Sequence, residues 1–199
     1  MTKYDRAETT ARIFRAAVEE FATHGIAGAR VDRIAANADS SKALIYTYFG
    51  DKEALFAAVL RARMTELAEA VVLRPDRVDE FVGDLFDFMT ANPDVLRLVS
   101  QEALHIAPDA VPDFAERRDH YADKTRAVAE AQASGSVDPT LTPAFVVLSL
   151  MGLVSWFVAA PQITRLVVDE AVTADVRARY RAHLVEMARR LLRPDGASD

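Results

Sequence analysis

The chain contains no cysteine among its 199 residues. That absence excludes disulfide staples, thiol redox sensing and thiolate metal sites. Glycine and proline are scarce, at seven and eight residues, so few points along the chain force an α-helix to end. A glycine-rich phosphate loop is missing, as is any plausible grouping of nucleophile and base, so the chain does not read as an enzyme and implies no cofactor. Residues 1–15 are polar and mixed in charge. They lack the basic-then-apolar order of an export signal, and with the missing cysteines this leads to the expectation of a cytoplasmic protein. Nowhere do apolar and polar residues alternate over a stretch bounded by hairpin turns, and no internal repeat is visible.

An excess of positive charge is lacking too. The formal net charge of −6 looks wrong for a nucleic-acid binder, but its distribution matters more than its sum. Residues 1–52 carry eight Lys/Arg against seven Asp/Glu, whereas the rest carry sixteen against twenty-three. A near-neutral head on an acidic body can hold phosphate if its few cations stand together, while the body repels phosphate elsewhere.

What is present is apolar periodicity, with 51% of residues hydrophobic. Over residues 4–24, Phe14, Ala17, Val18, Phe21 and Ala22 fall on one helical face, and Arg12, Arg15, Glu19 and Glu20 are expected to point elsewhere. Gly25 is placed to end that helix. A short helix follows, with Val31, Ile34, Ala35 and Ala38 on one side, until Asp39, Ser40 and Ser41 interrupt it. Ser41 can cap a second short helix over 42–49, and Asp51 a long one over 52–73 whose buried stripe is Phe56, Val59, Leu60, Met64, Leu67 and Val71. Further helices are expected over 76–91, from Pro93 to before Pro108, over 112–133, over 144–160 after the Thr142-Pro143 start signal, and over 173–192. A short connection is expected after Pro161. The fold class is all-α, with about nine helices.

Two short helices around a tight turn bury little alone, and Phe14, Val18 and Phe21 supply the third helix they need. Ile45, Tyr48 and Phe49 are spaced to face that small core, which turns Lys42, Ala43, Tyr46 and Thr47 outward. A helix enters the major groove of DNA only if its outer face is slim and offers hydrogen bonds or apolar contact. Lys42 can reach guanine acceptors or phosphate, Thr47 bases or backbone, and Ala43 a thymine methyl. Tyr46 and Tyr48 offer hydroxyls at the phosphate edge, and Lys52 lies at a helix N-terminus that already favours an anion.

The stretch Ile34-Ala35-Ala36-Asn37-Ala38, followed by the run from Ser41 through Tyr46-Thr47-Tyr48-Phe49-Gly50-Asp51-Lys52-Glu53-Ala54-Leu55-Phe56, resembles the tetracycline-repressor (TetR) family of bacterial regulators. The likeness is specific over about residues 8–60. It implies a helix-turn-helix DNA-binding domain over 1–52 and an effector-binding and dimerisation domain over 53–199. The implied DNA-contacting positions are Arg30, Ser41, Lys42, Ala43, Leu44, Tyr46, Thr47, Tyr48 and Lys52. Asp39 stands where that family commonly has a turn glycine, Ser40 where a valine plugs the turn, Leu44 where threonine is common, and Thr47 where a histidine or aromatic is. Arg30 replaces a capping Ser or Thr. The resemblance implies a sequence-specific regulator, most often a repressor, that binds palindromic operator DNA as a homodimer and is released by a small effector.

The apolar helix over 144–160 must hide nearly every face. It stands at the lower length limit for a membrane span, and burial against its own domain and a second copy is the expected solution. Val176, Tyr180, Leu184, Met187 and Leu191 form a seam on the last helix. With Val147, Met151 and Val154 they are the candidate dimer contacts, the alternative being packing within one chain. Phe81, Leu85, Phe88, Met89, Phe114, Tyr121 and Trp156 are candidates to line an apolar pocket with Gln101, His105 and His120 as polar anchors, for a small apolar or aromatic effector. The same residues can equally be core. Glu102-x-x-His105 and Glu116 with His120 invite a metal reading, but only one such pair occurs where a bundle site needs two, so no metal is expected.

Overall fold

The structure, a computed structural model, describes residues 3–194. Among these there are ten α-helices and no strand: α1 (Lys3–Gly28), α2 (Val31–Asn37), α3 (Lys42–Phe49), α4 (Lys52–Ala70), α5 (Phe81–Ala91), α6 (Pro93–His105), α7 (Phe114–Ala133), α8 (Pro143–Ala159), α9 (Pro161–Val168) and α10 (Ala174–Leu192). The all-α expectation holds, with one helix more than the sequence suggested. Where a short connection was expected after Pro161, α9 forms: the proline sits at its first position, where a missing N–H costs nothing, and left-handed Asp169 ends it. Two other helices start later than expected. Pro75–Arg77 and Pro108–Ala110 form single 3-10 turns, so α5 begins at Phe81 and α7 at Phe114.

The helices gather into two compact units. The first comprises Met1–Glu66 and Asp94–Asp113. Ile13, Ala17 and Phe21 of α1, Ile34 of α2, Ile45 of α3, Leu55, Phe56 and Val59 of α4 and Leu98 of α6 share its buried core. Phe21 and Phe56 meet edge to face at 5.2 Å. Arg63 binds Asp94 at 2.8 Å and Arg61 binds Asp113 at 2.6 Å, which ties the 94–113 segment to α4. Gly25 breaks α1 with φ 68° and ψ 175°, a backbone conformation that suits glycine. Its φ is left-handed, and a Cβ there would lie 2.4 Å from Gln101 Oε1.

The second unit comprises Leu67–Pro93 and Phe114–Asp199. Its core includes Val82 and Phe86 of α5, Val128 and Ala131 of α7, Leu150 and Val154 of α8 and Ala188 of α10. Phe157 stacks on Tyr180 at 4.4 Å, and Phe86 meets both rings. Arg181 of α10 reaches Asp87 of α5 at 2.6 Å. The α4 helix stops at Ala70, short of the expected end, and Val71 and Leu73 are buried beyond it in non-helical backbone. No single helix among the described residues is long and apolar enough to cross a membrane; α8 and α9 pass that test only as a pair bent by 87°.

Candidate nucleic-acid interface

Capping sets α3 in place. Ser41 is extended, with φ −103°, and its Oγ accepts the Leu44 N–H at 3.2 Å. Gly50, with φ 90°, ends the helix, and Asp51 Oδ1 accepts the Ala54 N–H at 2.7 Å to start α4. Ile45 is buried in the head core, and Tyr48 and Phe49 pack half-buried against the same core. That anchoring leaves Lys42, Ala43, Tyr46 and Thr47 exposed together, with Leu44 half-buried. Thr47 donates to the Ala43 carbonyl at 2.7 Å, which leaves its oxygen able to accept. Lys42 pairs with Asp32 of α2, so a phosphate or base must compete for it. Lys52 is half-buried in the first turn of α4, and the Arg30 side chain is exposed at the N-cap of α2 without making a cap bond.

Four residues that build this surface were not singled out as such from the sequence. Glu20 was expected to point outward, yet it is only 4% exposed. Its carboxylate accepts the Arg30 N–H at 2.8 Å and both Arg33 Nε at 2.9 Å and Nη2 at 2.5 Å. Arg33 also donates to the Gly28 carbonyl at 2.9 Å. Burial alone would raise the Glu20 pKa; the Arg33 hydrogen bonds, the Arg30 N–H and the nearby positive charge outweigh it, and the carboxyl is held below its ordinary value. Arg12, also expected to face elsewhere, donates to the Ala38 carbonyl at 3.0 Å, at the turn itself. Arg6 places its guanidinium 5.0 Å from the centre of the Tyr48 ring and so adds a cation beside α3.

The turn between α2 and α3 explains two of the unusual residues. The Ser40 N–H bonds the Ala35 carbonyl at 2.9 Å and the Asp39 N–H bonds the Ala36 carbonyl at 3.2 Å, the bond pair of a helix-ending motif that wants glycine in the left-handed position and an apolar residue after it. Asp39 occupies that position with φ 46°. Ser40 Oγ is buried there without a hydrogen-bond partner. An Asp39→Gly, Ser40→Val double variant is therefore expected to gain about 1–2 kcal/mol, from relieved backbone strain and removal of an unsatisfied hydroxyl. Thermal unfolding should rise by about 3–6 °C, and an unchanged or lower midpoint would contradict this account of the turn.

The expected pocket residues are placed unevenly. Phe81, Leu85 and Met89 are buried on α5 with Phe88 half-buried, and His120 and Tyr121 are half-buried on α7 with rings 5.8 Å apart. Phe114 and Trp156 are mostly exposed and line no interior of their unit, since each sits on a helix face away from its core. Gln101 and His105 belong to the first unit: Gln101 fills the space left by Gly25, and His105 is exposed, with Nδ1 2.9 Å from the Gln101 carbonyl. Among the described residues no three His, Asp or Glu side chains converge as a metal ion requires.

The residues of the expected dimer seam divide between core and surface. Val147, Val154, Val176 and Leu184 are buried in their own unit; Met151, Tyr180 and Met187 are half-buried, and Leu191 is exposed. A helical apolar repeat marks a buried stripe without saying whose side chains cover it, and here the chain's own helices cover these four. What α8 leaves open is the opposite stripe, Phe145, Leu148, Gly152 and Trp156, with the three large side chains 66%, 65% and 62% exposed.

A short capped helix that presents a slim polar face from a three-helix head, in a chain that also carries a larger all-helical unit, defines a helix-turn-helix DNA-binding transcription regulator. The comparisons agree and narrow the class. Residues 13–59 match the family model of bacterial regulatory proteins, tetR family, and residues 77–190 that of the tetracyclin repressor-like C-terminal domain. The chain is 42% identical over 168 residues to the HTH-type transcriptional repressor SCO4008 of Streptomyces coelicolor, covering 84% of this chain and 88% of the relative. The transcriptional regulator SCO4942 of the same species superposes with a TM-score of 0.81 at 38% identity, covering 92% and 98% of the two chains. A tetR-family regulatory protein from Rhodococcus RHA1 shares the fold, with a TM-score of 0.74 at 23% identity and coverage of 97% and 98%. The chain belongs to the TetR family of bacterial transcription regulators. Proteins of this family bind operator DNA, typically as dimers, and respond to small-molecule effectors; they are not enzymes.

Proposed function

We propose that this regulator is a cytoplasmic repressor that binds a palindromic operator as a homodimer and leaves it when a small apolar or aromatic effector occupies the C-terminal domain. Residues 1–52 read DNA, and residues 53–199 bind the effector and dimerise. The observation that carries the reading is the outward face of α3, with Lys42, Ala43, Tyr46 and Thr47 exposed while Ile45 is locked into the core. Lys42, Ala43, Leu44 and Thr47 read base edges. Arg30, Ser41, Tyr48 and Lys52 hold phosphates, and the Tyr46 hydroxyl works at the groove edge. Two copies set their reading helices about 34–36 Å apart, one turn of DNA. For release, the effector must bind the DNA-incompetent state more tightly than the competent one. Phe81, Leu85, Phe88, Met89, His120 and Tyr121 of the second unit supply apolar walls and polar groups for it.

Selection from a randomised duplex library at moderate salt tests this reading. One palindrome should be enriched. Tyr46→Ala or Lys52→Ala should weaken its binding by roughly tenfold each, a loss of about 1–2 kcal/mol per contact. Retention of no sequence above background at any salt concentration would rule the reading out.

A further inference from the structure

Lys124 is the one buried lysine of the second unit, 9% exposed on α7. An ammonium carries three donors, and burial demands that each be met. Here one N–H reaches the Val71 carbonyl at a long 3.4 Å, and the charge rests 5.4 Å from the centre of the Phe81 ring. No carboxylate of the described residues lies within ion-pair distance of Nζ, and Asp123, next to it in sequence, acts on it only through its field. The desolvated charge is disfavoured, and the Lys124 pKa is lowered accordingly. One turn earlier on α7 stand His120 and Tyr121, both half-buried, with His120 close enough to feel the Lys124 charge. Burial and that charge both hold the imidazole pKa down, which keeps His120 neutral and able to donate one hydrogen bond at neutral pH.

A buried cation that lacks a counter-charge is costly, and removing such a charge commonly stabilises a protein. A partner that arrives only at times explains why the chain would keep it. We propose that Lys124 is the anchor for a monoanionic carboxylate on the effector, whose apolar or aromatic body lies against Phe81, and that the carboxylate takes the ammonium from the Val71 carbonyl. One cation matches one negative charge, whereas a dianionic phosphate would leave a buried excess. Val71 directly follows α4, and its N–H still bonds back to Leu67 at 2.9 Å. Carboxylate binding therefore removes a tether from the C-terminal end of the helix that begins at Lys52. This inference rests on the effector reading above and gives it a ligand class.

The test titrates the full-length protein, free and on its enriched operator, with paired probes of equal shape: phenylbutyrate against phenylbutyramide, and octanoate against octanamide. The expected result is at least about tenfold tighter binding of the carboxylates. That binding should be accompanied by release of operator. Lys124→Met should fold, unfold at a higher temperature than the parent without ligand, and lose the preference; Lys124→Gln should do the same if the methionine variant proves insoluble. Equal binding of amide and carboxylate by the parent would overturn the anchor while leaving a small-molecule effector site standing. No binding by any probe, with operator retained, would overturn the anchor and remove the support for an apolar effector site here as well.

Discussion

An Arg33→Met variant is expected to lose stability and, with it, operator binding at growth temperature. Arg33 makes the forked contact to Glu20 and also holds the Gly28 carbonyl. Without it the buried carboxylate keeps only the Arg30 N–H at 2.8 Å and His24 at 3.8 Å. Breaking the pair from one side leaves the buried Glu20 carboxylate without its main partner, and the cost is moderated because the Arg33 side chain is partly open to water. The same contacts set the loop before α2, so the loss reaches DNA binding through the orientation of the head. In the parent the Glu20 pKa lies below its ordinary value of 4.5. Its contribution is therefore complete at neutral pH and is lost as pH falls through that depressed value. In the variant burial is left to dominate, the carboxyl protonates more readily, and the gap between parent and variant narrows in acid. A Glu20→Leu, Arg33→Met double variant should recover most of the loss, because two apolar side chains replace an ion pair at little net cost. Urea unfolding at neutral and acid pH measures all of this, and an Arg33→Met midpoint equal to the parent's would refute the role given to the pair.

The head was legible because local chemistry and packing agree there. Ser41 and Asp51 cap the helices they were expected to cap, Gly25 and Gly50 break where left-handed backbone is needed, and Ile45 is buried where its spacing put it. Asp39 in a glycine position and Ser40 in a valine position were visible as oddities, and the left-handed φ and the unpartnered hydroxyl give them physical content. Periodicity failed at Glu20, where a charge is buried. It sends Glu20 to solvent because a one-dimensional pattern cannot see a partner thirteen residues away. It failed again on α8, where an apolar run reveals how much surface must be hidden but not which face belongs to the chain's own core. A proline taken as a break at 161 instead opened α9, since the residue that ends one helix is equally suited to start the next.

That open face of α8 leads to the second large effect. A Leu148→Glu variant is expected to run as a monomer at micromolar concentration and to bind operator at least about a hundredfold more weakly than the parent. Phe145, Leu148 and Trp156 recur at intervals of three and eight along one stripe, and each leaves most of its side chain in water within a single chain. Burying one such side chain contributes about 1.5–3 kcal/mol, and a two-fold interface counts each residue twice. Gly152 lies on the same stripe with nothing within 4 Å of where its Cβ would be, so a second α8 can approach closely. A carboxylate at position 148 would meet its own copy or an apolar ring across the axis, uncompensated in either case. The monomer itself should fold as before, because Leu148 contributes little to its core. Val154→Ala supplies the contrast: Val154 is fully buried in its own unit, so that substitution should lower stability by about 1–3 kcal/mol while leaving the dimer intact. Operator affinity falls with the monomer because each half-site is then held separately, and the advantage of a second, linked head is gone. Sedimentation of the two variants separates the two roles; a dimeric Leu148→Glu protein with unchanged operator affinity would place the subunit contact on another surface.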